Sequence, residues 1–171
     1  MPLAAPTRPA PRLPSAQVVT RDDPARTVWF LNDRITFQLM RAESAAGVCI
    51  MLTQVTRNDA PPWHIHHAED EVFHIVAGEV RFRVGDTDLV ATAGQTVLAP
   101  CGVPHGFRVM SDRAEMLVVT RGGFEDVVRT IGRPPEHDGV PDHAEPSPEV
   151  VAALVAVCAA NDIDILGPPI D

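Results

Sequence analysis

Residues 61–78 read Pro61-Pro62-Trp63-His64-Ile65-His66-His67-Ala68-Glu69-Asp70-Glu71-Val72-Phe73-His74-Ile75-Val76-Ala77-Gly78. Side chains two apart on a β-strand project from the same face. His64 and His66 therefore point to one side of an extended segment. Glu71 opens the next apolar run, and a short bend returns it to the same centre. A fourth group comes from far along the chain, where His105 follows Gly102-Val103-Pro104 at the start of another strand. Three neutral imidazoles and one carboxylate suit a single divalent transition metal: Fe, Ni, Co, Mn, Cu or Zn. One or two coordination positions stay open for water, oxygen or substrate. Burying four such groups without a partner would be costly, which favours an ion over four structural side chains.

The neighbours of these four residues sort by strand parity. His67 and His74 fall out of phase with the ligands and are expected on the other face, at the surface or behind the site. Phe73, Ile75 and Phe107 share the ligands' parity and are the candidates, with Met51, for lining a substrate pocket; plain barrel core suits them equally. Met40, Met110 and Met116 are read as core filler that also softens a pocket. Glu69 and Asp70 are expected as solvated charges at a turn. Nothing near Cys101 marks it as activated, and His137 and His143 fall in a polar, exposed loop.

Outward from this stretch, residues 18–125 alternate short apolar runs with turn signals, the pattern of an all-β barrel or sandwich. The spacing predicts strands over Thr27–Leu31, Ile35–Arg41, Gly47–Thr56, Trp63–His67, Glu71–Val76, Val80–Val84, Leu89–Ala91, Thr96–Ala99, Gly106–Met110 and Glu115–Thr120. Gly85-Asp86 marks a hairpin. In Val80–Val84 three apolar residues alternate with Arg81 and Arg83, giving one buried face and one wet or partner-facing face. Residues 1–17 hold five prolines and read as an extended arm able to lie on a second copy of the chain. In the C-terminal segment, 126–171, Ser147-Pro148-Glu149 supplies an N-cap, a first-turn proline and a first-turn acid. A helix should follow from Pro148 to Ala160 and pack a Val151, Leu154, Val155 and Cys158 stripe on the barrel.

Composition narrows the chemistry. The 171 residues fit one domain, with 45% hydrophobic and 22% charged residues. The net charge of −9 argues against nucleic acid and anionic membranes as partners. All 14 basic residues are arginine, which removes lysine Schiff-base and P-loop mechanisms, and the absence of tyrosine removes that side chain as acid, base or radical relay. Three widely spaced cysteines do not form a disulfide framework, so a reducing, cytoplasmic setting is expected. The N-terminus has no apolar core of a signal peptide, and no apolar run approaches a membrane span. The arm and the two-faced arginine strand together suggest a homodimer.

The two ligand segments resemble the two motifs of the cupin superfamily. The first is glycine, five residues, His-x-His, three or four residues, glutamate, six residues, glycine; His64, His66, Glu71 and Gly78 fall on it. The second is glycine, five residues, Pro-x-Gly-x-x-His, then three residues and often asparagine; Gly94, Pro100, Gly102 and His105 fall on it. Asn58 stands where the first glycine belongs, a residue that tolerates a left-handed turn, and Val109 stands where the asparagine belongs. The resemblance covers about residues 27–125. It implies a double-stranded β-helix (jelly-roll) barrel with an N-terminal arm and a C-terminal helix. His64–Gly78 and Pro100–Phe107 further resemble single-domain bacterial cupins of the quercetin 2,3-dioxygenase-like group. That implies metal-assisted oxygenation of a flavonol-like or other enolic or phenolic small molecule, with Glu71 as ligand and base. The alternatives are a metal-dependent isomerase, cyclase or hydrolase of a natural-product pathway, or a non-catalytic binder.

Overall fold

The computed structural model describes residues 15–171. Most of the proline-rich arm expected over residues 1–17 lies outside the described residues.

The chain runs through ten strands before its first helix: Thr27–Phe30 (β1), Asp33–Leu39 (β2), Cys49–Thr56 (β3), Pro62–His66 (β4), Glu71–Ala77 (β5), Glu79–Val84 (β6), Thr87–Thr92 (β7), Thr96–Ala99 (β8), His105–Val109 (β9) and Arg113–Thr120 (β10). Helices follow at Phe124–Ile131 (α1) and Pro148–Ala159 (α2), and a last strand at Ile163–Pro169 (β11). All ten expected strands form, Thr96–Ala99 with unchanged limits. They assemble into two sheets, one in the order β1-β2-β3-β10-β5-β8 and one in the order β11-β4-β9-β6-β7. The pairings are antiparallel. The inner faces meet in a core that includes Phe37, Met51, Ile75, Val80, Phe82, Val109 and Met116.

Four glycines, Gly78, Gly122, Gly123 and Gly132, sit where a Cβ would clash. Gly78 turns β5 into β6 at φ +88°, and a Cβ there would lie 2.4 Å from the Arg113 carbonyl oxygen. Gly122 approaches Glu69 so closely that a Cβ would lie 2.7 Å from its carboxyl carbon. Asn58 adopts φ +68°, the left-handed turn expected of it.

Three expectations for the C-terminal segment need correction. Helix α1 was not anticipated, although Phe124, Val127, Val128 and Ile131 carry helical spacing between Gly123 and Gly132. Strand β11 was not anticipated either; Pro168 and Pro169 argue against a strand, but β11 is an edge, where proline is tolerated. Helix α2 forms with Ser147 Oγ accepting from the Val150 N–H, yet only Leu154 and Cys158 of its stripe are buried. Val151 and Val155 are each 44% exposed. No helix among the described residues is long and apolar enough to cross a membrane.

Candidate metal centre

The register of the second sheet builds most of the site. β4 pairs with β9 through His64 opposite His105, and with β11 through His64 opposite Ile165 and His66 opposite Ile163. Three imidazoles thus stand together on the inner face of one sheet. Glu71, the first residue of β5, reaches them from the other sheet. All four side chains are buried, and one candidate ligand atom from each lies within 4.8 Å of the other three. Glu71 Oε2 sits 3.0 Å from His105 Nε2, 3.5 Å from His66 Nε2 and 3.9 Å from His64 Nε2.

The other ring nitrogens fix which atom faces the centre. The Nδ1–H groups of His64 and His105 donate to the carbonyls of Pro62 (2.7 Å) and Val103 (3.0 Å). A carbonyl only accepts, so Nδ1 carries the proton and Nε2 presents its lone pair inward. His66 follows the same rule with a carboxylate: its Nδ1 lies 3.2 Å from Glu69 Oε1. His66 Nε2 is buried and has no hydrogen-bond partner. Lone pairs converging on a carboxylate repel one another unless a cation or proton lies among them. The donor set, the orphaned Nε2 and the spacing all fit a divalent transition ion.

Burial acts on each member. For Glu71 burial pushes the carboxyl upward, but the imidazoles of His105, His64 and His66 around it outweigh burial, so its pKa falls below the usual range. Burial lowers His64, against the pull of Glu71. Burial also opposes charging of His105, but its contact with Glu71 and the Val103 carbonyl prevail and raise it.

The Glu69 expectation fails. It is not solvated at a turn but 5% exposed. Besides His66, it accepts backbone N–H groups of Arg121, Gly122 and Phe124. Burial would raise its carboxyl, and these hydrogen bonds hold it down instead. Glu69 therefore ties a ligand imidazole to the start of α1. Its neighbour Asp70 is exposed, as expected, and accepts from the Cys101 N–H. His67 is at the surface against Asp164, and His74 points away from the ligands to Thr96 Oγ1.

The chamber at the ligands holds about 80 Å³ and is largely apolar. Phe73, Phe107 and Met116 line it, whereas Ile75 and Met51 do not. Those two are fully buried and belong to the core alone. The unanticipated elements contribute instead: Phe124 and Val127 from α1, Leu154 and Cys158 from α2, and Ile163 and Ile165 from β11. Asp33 opens β2 and lines the chamber with Thr53. Burial and the facing Asp59 carboxylate push Asp33 well above the usual range, and burial raises Asp59 as well.

Two facing antiparallel sheets with a His3Glu cluster that could hold a metal ion between them define a β-barrel of the double-stranded β-helix class. The chain belongs to the cupin superfamily. Its Cupin domain match spans residues 51–120, which contain all four cluster residues. It is similar to quercetin 2,3-dioxygenase of Bacillus subtilis, 28% identical over 111 residues that cover 63% of this chain and 33% of that protein. This chain thus spans about a third of that relative's length. It is also similar to an uncharacterized protein of Streptomyces coelicolor, 31% identical over 88 residues, covering 52% of this chain and 80% of that one. Among solved structures, TT1209 from Thermus thermophilus is similar with a TM-score of 0.45 and 27% identity, covering 60% of this chain and 89% of the other.

Proposed function

We propose that the protein is a metal-dependent dioxygenase acting on an enolic or phenolic small molecule. The observation that carries this reading is the convergence of three inward-facing Nε2 atoms and Glu71 Oε2, with His64, His66 and Glu71 at the wall of an apolar chamber. The likeness to a quercetin 2,3-dioxygenase supports it. His64, His66, Glu71 and His105 would hold a divalent ion, which would supply Lewis acidity toward an enol or phenol hydroxyl and activate dioxygen. Glu71 is the base that accepts the hydroxyl proton at Oε2. A carboxylate with a depressed pKa is a weak base, so this transfer suits a substrate hydroxyl already made acidic. Phe73, Phe107 and Phe124 exclude water and flank a flat head group. His64, His66 and His105 keep their orientation through their outer hydrogen bonds.

The test is metal analysis of the purified protein, followed by oxygen uptake against flavonols and enediols, with each of the six candidate ions loaded in turn. Uptake that is lost in His105→Ala supports the reading. Turnover without uptake overturns it in favour of an isomerase, cyclase or hydrolase, and tight binding without turnover overturns it in favour of a binding protein.

We also propose a homodimer in a reducing, cytoplasmic setting. Cys49, Cys101 and Cys158 are unpaired, which supports the setting. Arg81 and Arg83 are engaged within the chain, by Asp171 and Asp88, so the support for pairing shifts to the exposed edge strand β7 with Leu89 and Val90. A monomer in sedimentation at micromolar concentration overturns the dimer.

A further inference from the structure

An inner chamber of about 80 Å³ takes only about half a dozen non-hydrogen atoms. A much larger cavity, about 780 Å³, lies directly outside it. The two share a wall that includes Phe30, Leu31, Pro62, Leu154 and Ile165. On the outer cavity's far side stand Val150, Val151 and Val155 of α2, between 39% and 44% exposed. These valines explain the failure of the expected α2 stripe: half of that face covers the barrel and half faces this cavity. Exposed valines on one helix face are costly in water unless something apolar covers them.

The polar groups around the cavity limit what that can be. Arg108 donates to the carbonyls of Ile170 and Asn58, and Arg57 pairs with Asp112. Arg57 is thus already paired with a carboxylate, and Arg108 spends its donors on the backbone. Asp33 and Asp59 face each other at the junction of the two cavities, and Glu145 adds a further acid. Burial pushes the Asp33 and Asp59 carboxyls up, so the junction suits uncharged hydrogen-bonding groups rather than a further anion.

We propose that the outer cavity binds the apolar body of an elongated, uncharged small molecule whose oxygen-bearing head enters the four-ligand chamber. The substrate class is therefore an alkyl- or aryl-extended phenol or enol rather than a sugar phosphate or a small dicarboxylate. Helix α2 is the element that sets specificity along the tail. This inference rests on the metal-centred reading for the head group and on the two cavities for the tail.

The test is calorimetric titration of zinc-loaded protein with catechol, 4-methylcatechol, 4-butylcatechol and 4-hexylcatechol; zinc has no redox chemistry of its own. Affinity should rise about two- to fourfold per added methylene, the gain from moving that group out of water. In the double variant Val151→Asp, Val155→Asp, two exposed positions outside the metal cluster, hexylcatechol should fall to the affinity of catechol, with catechol binding and zinc content unchanged. Affinity that does not depend on tail length, or hexylcatechol binding unaltered in the double variant, overturns the proposal. The same series is run on zinc-free protein. Tail-dependent affinity that is indifferent to zinc keeps the outer cavity and sinks the metal-centred reading of the head; zinc-dependent catechol binding without tail dependence does the reverse.

Discussion

Glu69 fixes one ligand and one loop at the same time. Its carboxylate receives the His66 Nδ1–H and three backbone N–H groups at the start of α1. Replacing it by Gln leaves one acceptor oxygen and points an amide donor at backbone donors. Glu69→Gln should lower zinc affinity by about 10- to 100-fold, the usual effect of losing a partner that orients a ligating histidine. It should also cost about 2 kcal/mol in unfolding through stranded N–H groups. Titration calorimetry and urea denaturation check both, and a folded Glu69→Gln with unchanged zinc affinity would show that the carboxylate serves only the loop. Asp33 makes a prediction of opposite sign. Its folded-state pKa lies above the unfolded value of 3.8, so the folded chain holds a proton that the unfolded chain releases. Stability therefore falls as pH rises above the unfolded value. Asp33→Asn should remove that loss, stabilising the protein at pH 7, with the gain fading toward pH 4. A gain that does not vary with pH would sink the attribution to the Asp33 proton. The four cluster residues were legible in sequence because strand parity and motif spacing are local rules. Glu69 was not, because Gly122 and the backbone beside it, more than fifty residues away, are what bury it.

At the scale of elements, β4 carries the site because it has a neighbour on each side. β9 brings His105 opposite His64, and β11 sets Ile163 opposite His66. Period-two alternation is plain in strands with one face in the core, such as β3, β5 and β10, and turn signals delimit the others. β11 and α1 escaped that signal. One ends in Gly167-Pro168-Pro169, and the other is a single eight-residue helix rich in β-branched residues. Both become ordered by packing on the barrel rather than by their own propensity. The hairpin turns test the same logic with glycine. Gly78 and Gly94 share nearly the same backbone, φ +88° and +86°, but a Cβ at 78 would strike the Arg113 carbonyl and one at 94 would meet open space. Gly94→Ala should therefore cost about 1 kcal/mol, the dihedral penalty alone. Gly78→Ala should cost about 3 kcal/mol or leave the β5–β6 hairpin misformed. Equal losses in chemical denaturation would mean that the hairpin relaxes around the new methyl group.

For the whole molecule, the cluster joins two layers. His64, His66 and His105 stand on one sheet and Glu71 on the other, so an ion among them cross-links the barrel at its centre. The folded chain offers four preoriented donors, whereas the unfolded chain offers scattered side chains of much lower affinity. An ion that binds the folded form alone stabilises it by mass action, about 2.7 kcal/mol at a free concentration one hundred times its Kd. For a chain of this length that corresponds to a rise of about 5–10 °C in the unfolding midpoint. The net charge of −9 assists entry by raising the local concentration of cations. Zinc or nickel should therefore raise the midpoint in a concentration-dependent way, a chelator should reverse the shift, and His105→Ala should abolish most of it. Such a midpoint should also fall in high salt for the loaded protein more than for the stripped one, since screening weakens capture of the ion. A midpoint indifferent to all six candidate ions, in protein whose near-ultraviolet spectrum shows an intact core, would remove the cross-link and the metal-centred chemistry built on it.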